Sequence, residues 1–197
     1  MAVTDDDLVG KALGRAQGAY AALVDRYQRP VFSLIVRLMG DPAVAAELAQ
    51  DTFLKAFRRL ESFDRQWGFS PWLLRIAHNT AVDALRRGRL ETALIEEDPT
   101  RDGTSIASSA PGPDRQVENR LMLRDLEAGV SRLRPDHRTA LHLRVQDERS
   151  YAEIAYVMGV AEGTARSYVH RARRQLADDL RRAGWDGATD APGTRST

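Results

Sequence analysis

Helical periodicity runs through this chain in two blocks, and between them lies a stretch that can extend neither. Residues 5 to 90 place apolar side chains at three- and four-residue spacing almost throughout, whereas ETALIEEDPTRDGTSIASSAPGPDR, residues 91 to 115, has clustered acids and then Ser, Gly and Pro with few apolar anchors. Such a stretch buries too little apolar surface to offset the entropy of ordering it, so it predicts a flexible linker. Periodicity returns near Val117 and lasts to about Arg182, and residues 184 to 197 read as a disordered tail. No β-branched run alternates long enough to predict a strand. The expected fold is therefore all-α: two small helical domains, 1 to 90 and 116 to 183, joined by the linker 91 to 115. A hydrophobic content of 43% over 197 residues suffices for two such cores.

Several chemistries are excluded at once. There is no cysteine, hence no disulfide, thiolate metal site or cysteine nucleophile. His78, His137, His142 and His170 are the only histidines, none paired at i, i+4 with a carboxylate between them, and no Gly-rich phosphate loop is present. A metal hydrolase is disfavoured on those grounds, and the expectation is no catalytic residue, no metal and no cofactor. The start MAVTDDDLVG is acidic and lacks a basic region before an apolar core, and no apolar run approaches the ~18 residues of a membrane span. These features predict a soluble cytoplasmic protein. Its net charge of +1 leaves nucleic-acid binding to local patches.

In the first block, Tyr20, Leu23, Val24, Tyr27, Val31, Leu34, Ile35 and Leu38 form one long apolar stripe, with Pro30 predicting a kink or short break. Asp41 is placed to N-cap the next helix, with Pro42 at its first position and Ala45, Leu48, Ala49, Thr52, Phe53, Ala56, Phe57 and Leu60 on its inner face. Glu47, Gln50, Asp51, Leu54 and Arg58 fall on the opposite face. That pattern suits a plain solvated surface, but an outward Leu54 among polar residues also suits a docking surface. Phe63, Trp67 and Phe69 then sit in a turn-prone segment before Ser70, a candidate cap, and Pro71. Leu74, Ala77, Ala81 and Leu85 can face a core, which leaves Trp72, Arg75, Asn79, Asp83 and Arg86 along another face with His78 beside them. Arg65, Arg75, Arg86, Arg87 and Arg89 are opposed only by Asp83 between residues 65 and 89. Rings, guanidinium groups and an amide together match what an unpaired nucleic-acid strand requires, although aromatics in a helical domain also serve as core.

The second block is sharper. Ser150 and Glu153 form a capping box for a short helix containing Ile154, Ala155 and Met158, and Gly159 is placed to end it in a left-handed turn. A further helix buries Ala165, Val169, Ala172 and Leu176 and turns Thr164, Arg166, Ser167, His170, Arg171 and Arg174 outward, with Arg173 flanking. Helix, tight Gly turn and basic helix predict a helix-turn-helix whose second helix enters a DNA major groove. A solvated basic helix is the plainer alternative.

The three segments in this order resemble the sigma-70 family of bacterial RNA polymerase sigma factors, in particular the extracytoplasmic function (ECF) group, which keeps only domains 2 and 4. AELAQDTFLKAFRRL resembles the polymerase-docking helix of domain 2, SFDRQWGFSPWLLRIAHNTAVDALRR its promoter-melting and minus-ten segment, and SYAEIAYVMGVAEGTARSYVHRARRQL the domain 4 reader of the minus-35 element. The resemblance implies a non-catalytic transcription initiation factor. It implies core RNA polymerase as a partner through Glu47, Gln50, Asp51, Leu54 and Arg58. Minus-ten promoter DNA would meet Phe63, Trp67, Phe69, Trp72, Arg75, Asn79 and Arg86. Minus-35 DNA would meet Thr164, Arg166, Ser167, His170, Arg171 and Arg174, and an anti-sigma factor is implied as a regulatory partner. The chain departs from the family pattern at Ala46, Arg134 and Tyr168. Glu96, Glu97 and Asp98 suit either a solvated tether or an anionic segment for the polymerase's basic RNA channel. A helix-turn-helix repressor with a ligand-binding or dimerising first half is the alternative from another class; it offers no reason for the aromatic segment beside an Arg-rich helix.

Overall fold

The computed structural model describes residues 3–95 and 114–185, and every α- or β-type element among them is a helix. Helix α1 (Asp5–Leu13) is started by a capping box between Thr4 and Asp7. Helix α2 (Gln17–Met39) is continuous through Pro30, where the pattern predicted a break. Proline removes one main-chain donor, but Leu23, Tyr27, Val31, Leu34, Ile35 and Leu38 are all buried on either side of it. Packing along the whole stripe outweighs the single lost bond.

Helix α3 (Pro42–Arg58) begins as expected: the Asp41 carboxylate accepts from the amides of Ala43 at 2.8 Å and Val44 at 3.3 Å. A 3-10 turn, Leu60–Ser62, leads to α4 (Phe69–Ile95). Helix α4 starts one residue ahead of Ser70, the expected cap, so Pro71 falls in the third position of the first turn, where amides have no helical acceptor anyway. The Ser70 hydroxyl instead accepts from Arg149. Helices α2, α3 and α4 pack together around Leu23, Phe53, Ala56, Leu73 and Ala77.

The second block holds α5 (Asp114–Arg132), α6 (Pro135–Val145), α7 (Tyr151–Met158) and α8 (Glu162–Arg182). Gly129 lets α5 approach α8 closely, since a Cβ there would stand 2.9 Å from the Leu176 Cδ2. Two residues expected at the start of the tail are described: Gly184 closes the turn after α8, and the Trp185 indole N–H donates to Asp125 at 2.9 Å. Linker residues 96–113 and tail residues 186–197 lie outside the described residues.

The two blocks pack against each other. Helix α6 lies on α2 and α7 lies on α4, and Leu143, Ile154 and Val157 belong to the same apolar core as Leu23, Ile35 and Leu73. Polar contacts frame this face. The Arg138 guanidinium donates to the Arg37 carbonyl at 3.0 Å and also to the Ser131 carbonyl, while Arg149 joins Ser70 to Glu153, the last at 3.1 Å.

Candidate nucleic-acid interface

Three surfaces carry the residues singled out in the sequence. On α3, Glu47, Gln50, Leu54 and Arg58 are exposed and Asp51 is half-buried, paired with Lys55 at 2.7 Å. Leu54 is 55% exposed, an unpartnered apolar side chain in the middle of this polar face.

The aromatic segment divides into two kinds of residue. Phe69 and Trp72 are 1% and 6% exposed and belong to the core, which corrects their expected place on an open stacking surface. Phe69 opens α4 and points inward against Tyr27, with ring centroids 5.3 Å apart. Phe63 is half-buried and packs edge-on to both, at 5.7 Å to Phe69 and 5.6 Å to Trp72. Trp67 remains half-exposed at the tip of the segment. Along α4, Arg75, Asn79, Asp83 and Arg86 are exposed, as the periodicity predicted, but His78 is buried. Burial pushes the His78 imidazole below its ordinary pKa. Arg59, Ser62, Trp72, Arg75, Ile76 and Asn79 line an open cleft at this end of α4, closed on one side by Tyr156 of α7.

Helices α7 and α8 form the third surface. The Ser150 hydroxyl accepts from the Glu153 amide at 3.2 Å, and the Glu153 carboxylate accepts from the Ser150 amide at 2.8 Å, completing the capping box. Gly159 has φ 67°, the left-handed conformation that lets α7 stop and α8 set off at an angle. Ala165, Val169, Ala172 and Leu176 are buried, while Arg166, His170, Arg171, Arg173 and Arg174 are exposed and Thr164 and Ser167 half-buried. Gly163, Arg166, Ser167, His170, Arg171 and Arg174 line one shallow groove. Arg166 is held in place: it pairs with Glu162 at 3.1 Å, and its guanidinium carbon lies 4.9 Å from the centre of the Tyr151 ring. Tyr168 rests on His137 with ring centroids 5.4 Å apart. Among the described residues no cluster of His, Asp and Glu is placed to hold a metal, and no helix is long and apolar enough to cross a membrane.

Comparison with known proteins covers both blocks. The model for Sigma-70 region 2 matches residues 23–91, and that for Sigma-70 region 4 matches residues 123–176. The chain is 31% identical over 169 residues to the ECF RNA polymerase sigma factor SigW of Bacillus subtilis, spanning 84% of this chain and 90% of that protein. This chain belongs to the ECF sigma factors of the sigma-70 family. The RNA polymerase sigma-H factor of Pseudomonas aeruginosa is 38% identical over 181 residues, 87% of this chain and 91% of that one. The co-crystal structure of the sigma factor RpoE with the anti-sigma factor NepR from Bartonella quintana matches with a TM-score of 0.64 at 27% identity, over 82% of this chain and 96% of that one. CnrH in complex with the cytosolic domain of CnrY shares the fold, with a TM-score of 0.64 at 23% identity over 90% of this chain and 97% of that one. As an ECF sigma factor the chain directs RNA polymerase to promoters through their minus-ten and minus-35 elements, and it performs no catalysis itself.

Tyr156 was missed in the sequence. With Tyr151 it is one of two rings of α7 that lie outside the helix's buried positions, Ile154, Ala155, Val157 and Met158, and an off-stripe aromatic was the available signal.

Proposed function

We propose that three surfaces divide the work of initiation. Glu47, Gln50, Asp51, Leu54 and Arg58 on α3 seat the chain on core polymerase; Phe63 and Trp67, with Arg75, Asn79 and Arg86, take the unpaired minus-ten strand; and Thr164, Arg166, Ser167, His170, Arg171 and Arg174 on α8 read the minus-35 duplex. Phe69 and Trp72 serve the second surface from below, as the packed floor that fixes Phe63. The observation that carries this reading is the groove on α8, where the basic and hydroxyl side chains share one face and Arg166 is already oriented by Glu162 and Tyr151. Pre-orientation lowers the entropy lost when a guanidinium makes a paired contact with a guanine edge.

The working units on this reading are residues 1 to 90 and 116 to 183, acting in the cytoplasm. Each contacts promoter DNA weakly alone, and seating both on polymerase makes the second contact intramolecular. An anti-sigma factor holds the chain when it is idle, a partner supported by the NepR complex of the Bartonella relative.

A photo-crosslinking amino acid placed in turn at positions 54, 67 and 170 tests the division in a holoenzyme–promoter complex. Position 54 should label the polymerase's largest subunit, position 67 the non-template strand and position 170 the upstream duplex. Labelling of DNA from position 54, or of protein alone from position 170, would overturn the assignment.

A further inference from the structure

An acid stands at the start of the helix that carries the minus-35 surface. Glu162 is the first residue of α8, is exposed, and is the one acid of a first turn that leads into Arg166, His170, Arg171 and Arg174. A carboxylate there is repelled by phosphate and weakens the grip on every DNA sequence alike. Its charge favours the N-terminal end of the helix dipole, but any acid in that turn would supply as much. What this position supplies is a partner: the Glu162 Oε1 accepts from the Arg166 Nη2 at 3.1 Å, one turn along the helix. The Arg166 guanidinium is held from a second side by the Tyr151 ring, whose centre lies 4.9 Å from its carbon, and the Arg144 guanidinium carbon lies 5.1 Å from the same centre. Arg144 is itself tied down, donating to the Arg149 carbonyl at 2.9 Å. Two like charges at one ring repel, and the Glu162 carboxylate offsets that repulsion on the Arg166 side. A guanidinium carries five N–H donors in one plane, so a bond to Glu162 leaves a further pair free for the O6 and N7 of a guanine.

Resting on the reading of Arg166 as the minus-35 base contact, we propose that Glu162 is a specificity-determining residue of this site: with Tyr151 behind the guanidinium it aims the Arg166 fork at one guanine, and it lowers overall affinity in doing so. The selectivity follows from when order is needed. Where the base is guanine, Arg166 must be fixed to make both hydrogen bonds, and the clamp has already removed that freedom. Where it is another base the paired contact does not form, and the clamp keeps Arg166 from other acceptors on phosphate or thymine. Both effects widen the gap between the right base and the wrong one, while the repulsion of carboxylate from phosphate falls on both equally. Ordering one long side chain accounts for roughly three- to tenfold in preference.

The test is transcription by holoenzyme carrying the full chain, from a template library randomised at the upstream element and counted per sequence, with Arg166→Ala as the reference. Glu162→Ala should lower the preference for guanine, at the base pair that Arg166→Ala identifies, by roughly three- to tenfold, while templates with another base there hold their level or gain. Tyr151→Leu should relax the same base pair, and Tyr151→Phe, which keeps the ring, should keep the preference. Adding Glu162→Ala to Arg166→Ala should change no preference further, since the acid acts through the arginine. Preference is a ratio within one protein preparation, so a fold weakened by a substitution lowers all counts together and leaves the ratio unmoved. An unchanged ratio in Glu162→Ala, or a shift at another base pair that persists without Arg166, overturns the proposal. The reading beneath it is tested apart from it: relaxation by Arg166→Ala with none by Glu162→Ala removes the proposal and keeps the base contact, whereas no relaxation by Arg166→Ala removes both.

Discussion

The His142 imidazole on α6 meets the Ser33 hydroxyl on α2 at 3.5 Å, inside the face where the two halves of the chain pack. Burial, with Arg37 beside it, holds His142 down to about 4 from an ordinary 6.5, so the ring is neutral in the packed form and takes a proton more readily once exposed. The side chains facing it from α2 are Ser33 and Arg37, and Arg138 crosses to the same helix from α6. His78 on α4, lowered by burial despite the opposing pull of Asp136, acts in the same direction. Packing is therefore fully supported above the free value near 6.5 and is lost as pH falls towards about 4, by up to ~3 kcal/mol from His142. Small-angle scattering should show the radius of gyration rising on acidification from about pH 7.5 to about pH 4.5, and His142→Gln should flatten the response. A constant radius over that range would contradict it.

Leu54→Asp places a carboxylate in the centre of the proposed polymerase contact. Core binding should weaken by about 2 kcal/mol or more, while the melting temperature stays near that of the parent because Leu54 is already 55% exposed. Competition binding against labelled parent chain measures the first and calorimetry the second.

Phe69→Ala and Trp67→Ala should fail in different ways. Phe69 is a core ring, and its removal should cost about 3 to 5 kcal/mol of stability. Trp67 is half-exposed, so Trp67→Ala should leave closed-complex formation and the helical content intact while reducing permanganate reactivity of promoter thymines. Denaturant melts of both proteins beside the footprint separate packing from strand capture.

Much of this division was legible in the sequence. Asp41, Ser150 with Glu153, and Gly159 act at helix ends through contacts four residues away or fewer, so local chemistry was enough to place them. The outward faces of α3 and α8 followed from period alone, because each helix buries a single stripe. What did not follow was the partner of each stripe. Ile154 reads as apolar face of its own short helix, yet with Leu143 and Val157 it belongs to one core with residues of α2 and α4, and no periodicity encodes which helix lies across from which. Phe69 and Trp72 differ from expectation for a related reason: a ring beside a turn, like Phe69, reads as loop until the first turn of α4 rotates it inward, and Trp72, which the period sets on the outward face with Arg75 and Asn79, is buried with Phe63 and Phe69 packed against it. Pro30 shows packing over a whole helix outweighing a local breaker.

Within α8, Arg166 and Arg174 should separate base reading from backbone grip. Arg166→Ala should cost ~1 to 3 kcal/mol and relax preference at one base pair, whereas Arg174→Ala should weaken all sequences alike and lower the salt slope by about one. Holoenzyme transcription from a library randomised at the upstream element, counted per sequence at two salt concentrations, measures both. Equal loss across every sequence for both variants would mean that the helix only grips phosphate.

As a sigma factor, this chain should by itself confer promoter choice on core polymerase through two short elements. Run-off transcription with purified core polymerase, the full chain and a pool of random promoters tests it in one reaction. Transcripts should exceed the level of core enzyme alone and arise from templates that share an upstream and a downstream element at a fixed spacing. Transcripts no more abundant than with core alone, or enriched templates sharing no element, would contradict it.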